Sequence, residues 1–129
     1  MDLELLRSVP LFSWLPERGP EVMDACFDME TERLAAGESR LSDGRVGCLL
    51  RGTARFESGA DHWPLRPGDL LGLTADKQPR SGTLTAEEDC AVVWFQYQLV
   101  CHVCYRACWD HARVIMEIQR QLAAQFPEE

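Results

Sequence analysis

Cys101, Cys104, Cys108 and His111 follow one another at steps of three, four and three residues. On a continuous helix those steps gather three thiols and an imidazole on one face. Such a set suits zinc, copper or an iron–sulfur centre. Cys101 and Cys104 make half of a metal-binding motif, but no second Cys-x-x-Cys or His-x-x-x-His follows them. The same thiols could form a redox-sensitive pair, or pack as small apolar groups on a buried helix face. His111 also reads as a part-buried or surface helix residue. A second group with chemical potential is Gly72, Leu73, Arg80 and Ser81. A glycine turn leading into a short helix offers backbone N–H donors to a phosphate. Arg80 adds a bidentate charge-assisted contact and Ser81 a hydroxyl, which points to a small anion. The purely structural reading pairs Arg80 with Asp69, Asp76 or Glu87 at the surface.

Other chemistries fail by count. His62 is the only histidine of the middle region, whereas a metal-dependent cupin needs several converging ligands. There is no Walker loop, no G-x-S-x-G and no dinucleotide fingerprint. Glu87-Glu88-Asp89 reads as a solvated turn. A non-enzymatic binding domain is expected, and the sequence names no cofactor.

The elements that position these groups come from the patterning. At about 150 residues per domain, 129 residues make one domain. A hydrophobic content of 46% rules out disorder along the whole chain. The net charge of −8 makes the chain a poor nucleic-acid binder, since phosphates need clustered cations. No apolar run approaches the ~18 residues of a membrane span. Met1-Asp2-Leu3-Glu4 does not open a secretory signal, so the six cysteines point to a reducing cytoplasm and mostly free thiols.

Glycines punctuate the middle of the chain, with apolar or alternating runs at 46–51, 53–56, 70–73, 83–86 and 91–95. That spacing predicts an antiparallel sandwich or barrel. Asp43-Gly44 and Pro67-Gly68-Asp69 mark turns. Short helical patterns occupy 3–7 and 20–27. Residues 98–125 hold neither Pro nor Gly and predict one long amphipathic helix, or two bent near Cys108. The fold class is therefore α+β, with short N-terminal helices, a dominant β-roll and a long C-terminal helix. Residues 1–97 form the helices and roll, and 98–129 the C-terminal helix of the same domain. Val114, Ile118, Gln121 and Leu122 give that helix an apolar stripe flanked by Arg113, Glu117 and Arg120. A helix over 98–125 is about 40 Å long, longer than a domain of this size is wide. A homodimer through the stripe is expected.

Several motifs, in order, resemble the sensor domain of the Crp/Fnr transcription regulators, which is built on the cyclic-nucleotide-binding β-roll, a double-stranded β-helix or jelly roll. Leu5-Leu6-Arg7-Ser8-Val9-Pro10-Leu11-Phe12 is similar to the family's first helix and turn. Arg33-Leu34-Ala35-Ala36-Gly37-Glu38, Leu50-Arg51-Gly52-Thr53-Ala54 and Arg66-Pro67-Gly68-Asp69-Leu70-Leu71-Gly72 are similar to its roll turns. Pro79-Arg80-Ser81-Gly82-Thr83-Leu84-Thr85-Ala86 is similar to the end of its phosphate-binding cassette. Cys104-Tyr105-Arg106-Ala107-Cys108-Trp109-Asp110-His111 is similar to a subgroup from anaerobic Gram-positive bacteria. The resemblance implies a small-molecule effector in the roll, a homodimer, and DNA binding only through a helix-turn-helix domain that does not follow here. In the family's cyclic-nucleotide binders a glutamate follows the cassette glycine and holds the ribose 2′-hydroxyl. Here Leu73 follows Gly72, and the stretch to Pro79 is shorter by about two residues. The resemblance thus keeps Arg80 as an anion contact but not the cyclic AMP assignment. The alternatives are a redox or metal sensor at Cys101, Cys104 and Cys108, and a ligand-free dimerisation scaffold.

Overall fold

The computed structural model describes residues 3–15, 29–97 and 109–126. They form helix α1 (Leu3–Arg7), strands β1 (Glu30–Leu34), β2 (Ser39–Leu41), β3 (Arg45–Arg51), β4 (Ala54–Ser58), β5 (Asp61–Leu65), β6 (Leu70–Leu71), β7 (Thr83–Ala86) and β8 (Cys90–Gln96), and helix α2 (Trp109–Gln125). Two four-stranded sheets result, ordered β1-β8-β3-β6 and β2-β7-β4-β5. Neighbouring strands pair antiparallel throughout.

Cys90 to Phe95 are buried without a break, because β8 is covered on both faces. Its side chains still alternate. Cys90, Val92 and Trp94 enter the core between the sheets, with Leu34, Leu49, Phe56, Leu71 and Leu84. Ala91, Val93 and Phe95 face the opposite way, onto Leu5, Leu6 and Phe12 near the N-terminus and onto α2. Gly47 on β3 lies in register between Leu71 and Trp94. A Cβ there would come within 3.0 Å of the Leu71 side chain and 3.1 Å of the Trp94 ring. The missing side chain is what admits the indole to the core.

The runs read as strands near 46–51, 53–56, 70–73, 83–86 and 91–95 correspond to β3, β4, β6, β7 and β8. Three further strands, β1, β2 and β5, carry too many polar residues to stand out, and each lies at a sheet edge. Edges tolerate charge and proline, and β5 holds Pro64 opposite Arg55. The helical pattern at 20–27 and the stretch 98–108 lie outside the described residues.

The apolar stripe of α2 corrects one expectation. Val114, Ile118 and Leu122 do not wait for a second copy: they are buried against the outer face of the β1-β8-β3-β6 sheet, beside Val93 and Phe95. A helix with one apolar stripe covers whichever apolar sheet is nearest, and here that sheet belongs to the same chain. Glu117 on the same helix is also buried and accepts from Arg113 and Arg120, at 3.1 Å each.

Candidate functional site

The segment between β6 and β7 carries the residues expected to hold an anion. It does not form the short helix expected there. Gly72 has φ +88 and its backbone presses on β3, so that a Cβ would lie 3.3 Å from the Val46 Cα. The chain then doubles back. Leu73 bridges Pro79, and Arg80 N–H donates to Gly72 C=O at 2.8 Å. Thr74 N–H donates to Gln78 C=O at 2.9 Å and Lys77 N–H to Thr74 C=O at 3.0 Å. Gln78 N–H reaches the Thr74 hydroxyl at 3.2 Å. Lys77 adopts φ 60 to make the turn. Amides that a phosphate cradle would aim outward thus satisfy one another inside a tight hairpin. Leu73 is 2% exposed and packs into the helix-facing core.

Arg80 emerges from this hairpin at the rim of the roll. Its guanidinium lies over the Trp63 ring, 4.8 Å from the centroid, and Nη2 donates to Asp61 Oδ2. None of the three expected partners is used. Asp69 instead accepts the Arg66 N–H at 2.9 Å and the Gln121 amide at 3.3 Å. Asp61 reaches Arg80 because β4 and β5 are joined by Gly59-Ala60, with Gly59 at φ 61 in the first central position of a two-residue loop. On β5, Asp61, Trp63 and Leu65 share one face. Leu65 is in the core between the sheets and Trp63 packs at its margin. That leaves Asp61 at the mouth. Ser81 is exposed; its carbonyl accepts the Ser58 hydroxyl at 2.7 Å, tying the same hairpin to the segment.

Trp63 is the hub. It tilts against Phe56 at 5.3 Å and meets Phe126 edge-on at 6.4 Å. Its indole N–H is buried and has no partner among the described residues. Phe126 separates two clefts. One, about 630 Å³, runs between Trp63, Arg66, Asp69 and the end of α2. The other, about 480 Å³, lies between Asp76, Lys77 and the Gln119–Ala123 side of the helix. Arg80 keeps 30% of its side chain exposed and Asp61 70%. Asp61, Trp63 and Phe126 were not singled out from sequence; the alternation of Asp61, Trp63 and Leu65 was the available signal, masked by Pro64.

Cys101, Cys104 and Cys108 lie outside the described residues, as does the side chain of His111. Among the described residues no group of three or more His, Cys, Asp or Glu is placed to hold a metal ion. Cys48 and Cys90 are free and buried. Burial pushes the Cys48 thiol far above its ordinary value, with Asp69 adding to the effect. Burial and then Asp89 raise that of Cys90. Burial that holds a thiol in its protonated form makes it a poor nucleophile. Among the described residues no helix is long and apolar enough to cross a membrane.

The geometry has close counterparts among solved structures. A putative cyclic nucleotide-binding protein from Geobacter metallireducens superposes with a TM-score of 0.63 at 16% identity, over 96% of this chain and 94% of that one. The fold is that of a cyclic-nucleotide-binding domain. The N-terminal domain of a transcriptional regulator from Streptomyces coelicolor shares this fold, with a TM-score of 0.53 at 19% identity over 94% and 92%. So does the regulatory subunit of a cAMP-independent protein kinase A from Trypanosoma brucei, with a TM-score of 0.61 at 15% identity over 97% of this chain and 46% of that one. No protein-family model matches the sequence, and no curated protein matches it. Within the cyclic-nucleotide-binding fold, the hairpin at 73–79 occupies the place between β6 and β7 for which the sequence predicts a phosphate-binding helix.

Proposed function

We propose that the chain is the effector-sensing domain of a Crp/Fnr-like transcription regulator. It binds a small anion at Arg80, with Ser81 alongside, and dimerises through its C-terminal helix. The observation that carries the reading is the placement of Arg80: a part-exposed guanidinium stacked on Trp63 at the mouth of a cyclic-nucleotide-binding roll. Similarity in fold to a regulator's N-terminal domain supports the regulatory role. Gly72 and Leu73 shape the segment from within. The absence of a cassette helix and of a carboxylate after Gly72 argues against cyclic AMP as the effector. The same fold occurs in a kinase subunit described as cAMP-independent.

Phe126 gives the anion site a line to α2. The end of that helix and the guanidinium share one indole, so a ligand that moves either biases the other. The exposed row Ala112, Met116, Gln119 and Ala123, spaced by four, three and four, replaces the buried stripe as the surface for a second copy. DNA would be reached through a separate helix-turn-helix domain, in the cytoplasm.

Thermal-shift screening with phosphate esters and carboxylates tests the effector reading. A stabiliser whose effect vanishes in Arg80→Ala supports it; equal stabilisation of both proteins refutes it. Sedimentation of the wild type and Met116→Glu tests the dimer, which the variant should weaken. A second reading, a ligand-free dimerisation scaffold, is favoured by one observation: Arg80 already has a carboxylate partner in its own chain.

A further inference from the structure

We propose that Asp61 is a built-in competitor for the anion site and sets which anions Arg80 accepts. The inference rests on the anion-site reading above. Three observations carry it. The Asp61 carboxylate is bound to Arg80 Nη2, in the position an anionic ligand would take. The hairpin that bears Asp61 is short, and it is fixed at its tip by the Gly59-Ala60 turn and, next to it, by the Ser58–Ser81 hydrogen bond. The Arg80 guanidinium is also held by the Trp63 face, so it stays in place when its anion partner changes.

The exchange needs no covalent step. An incoming anion takes over the guanidinium, and the Asp61 side chain, 70% exposed, swings into water. Its negative charge then lies within a few ångströms of the bound ligand. Two consequences follow. Ligands must beat an intramolecular carboxylate, so monocarboxylates that merely reproduce it bind poorly. Every added negative charge on the ligand is opposed by Asp61, which selects anions that offer more than one acceptor to the guanidinium without a high total charge. The self-contact also keeps Arg80 from leaving an unpaired charge against an aromatic wall when no effector is present.

The test is a titration of inorganic phosphate at constant ionic strength. It is followed by the Trp63 indole N–H resonance in the wild type, Asp61→Asn, Asp61→Ala and Arg80→Gln. Both Asp61 substitutions leave Gly59-Ala60, which make the hairpin turn, unaltered. Removing an exposed ion-pair competitor and one like charge is expected to tighten phosphate binding by about five- to tenfold. Arg80→Gln should bind none. If the wild type binds through Arg80 and both Asp61 variants bind no more tightly, Asp61 is not a competitor, while the anion site stands. If no protein shows Arg80-dependent binding, the anion-site reading falls and this inference with it.

Discussion

Gln125 holds Leu70 as a neighbouring strand would. The Leu70 N–H donates to Gln125 Oε1 and Gln125 Nε2 donates to the Leu70 carbonyl, both at 2.7 Å. β6 is a two-residue strand at the edge of its sheet, with β3 on one side only. The last turn of α2 therefore supplies the hydrogen bonds that a fifth strand would have made. Gln121 lies within 3.5 Å of the same amide oxygen, through its Nε2.

Gln125→Ala is expected to destabilise the domain by about 1–3 kcal/mol, since both Leu70 groups lose a partner in a part-buried site. The Leu70 amide should exchange with solvent faster, while amides of β8 keep their protection until global unfolding. Urea denaturation and hydrogen exchange measure the two effects. Unchanged Leu70 exchange would show that the helix end does not hold the strand.

Gly47→Ala should cost about 1–3 kcal/mol, because the added methyl group must push either Leu71 or Trp94 from a filled core. Near-UV circular dichroism should report a displaced Trp94. Gly47→Val should leave little folded protein at 37 °C. A fully stable alanine variant would mean the core yields more easily than close packing allows.

What sequence could and could not reveal follows from where each strand sits. β3, β7 and β8 lie inside their sheets, so tertiary burial and local composition agree there. At the polar edge strands β1 and β5 they diverge: Glu30-Thr31-Glu32-Arg33-Leu34 and Asp61-His62-Trp63-Pro64-Leu65 are strands because a neighbour offers them a ladder, not because of their own propensity. The spacing of Val114, Ile118 and Leu122 revealed an apolar face but not its partner, which depended on the sheet below. Arg80 was visible as a candidate for an anion contact. Its link to Asp61, nineteen residues away on another hairpin, needed the three-dimensional fold.

Cys48 makes stability fall in alkali. Its thiol is buried and its folded pKa lies far above the ordinary value of 9.0. Below about pH 9 both folded and unfolded states keep the proton. Above it the unfolded chain releases the proton and the folded one does not, so rising pH favours unfolding. One such thiol contributes up to about 1.4 kcal/mol per pH unit. Cys48→Ala should flatten the decline between pH 9.5 and 10.5 by roughly that slope, read as the difference between two urea series. Identical slopes would mean that Cys48 ionises in the native state.

Calorimetry with cyclic AMP should show no submicromolar binding. The segment that would hold its phosphate is a closed hairpin, and Leu73, where a ribose acceptor would stand, is buried in the helix-facing core. Replacing Leu73 by Glu is expected to unfold the protein rather than confer binding, because it buries a charge without a partner. Tight binding by the wild type would require that the hairpin open.

β7 and β8 come last among the strands, yet each occupies an inner place in its sheet: β7 between β2 and β4, β8 between β1 and β3. During synthesis, β1 and β2 must therefore wait unpaired until residues 83–96 have left the ribosome. Among the described strands, only the β4–β5 hairpin and the β3–β6 contact can form before then. A chain interrupted upstream of Thr83 carries two strands with no ladder to join and a core without Trp94. The domain is thus made in one late event, with slow non-local pairing, and a partial translation product has the exposed edges that chaperones and proteases recognise.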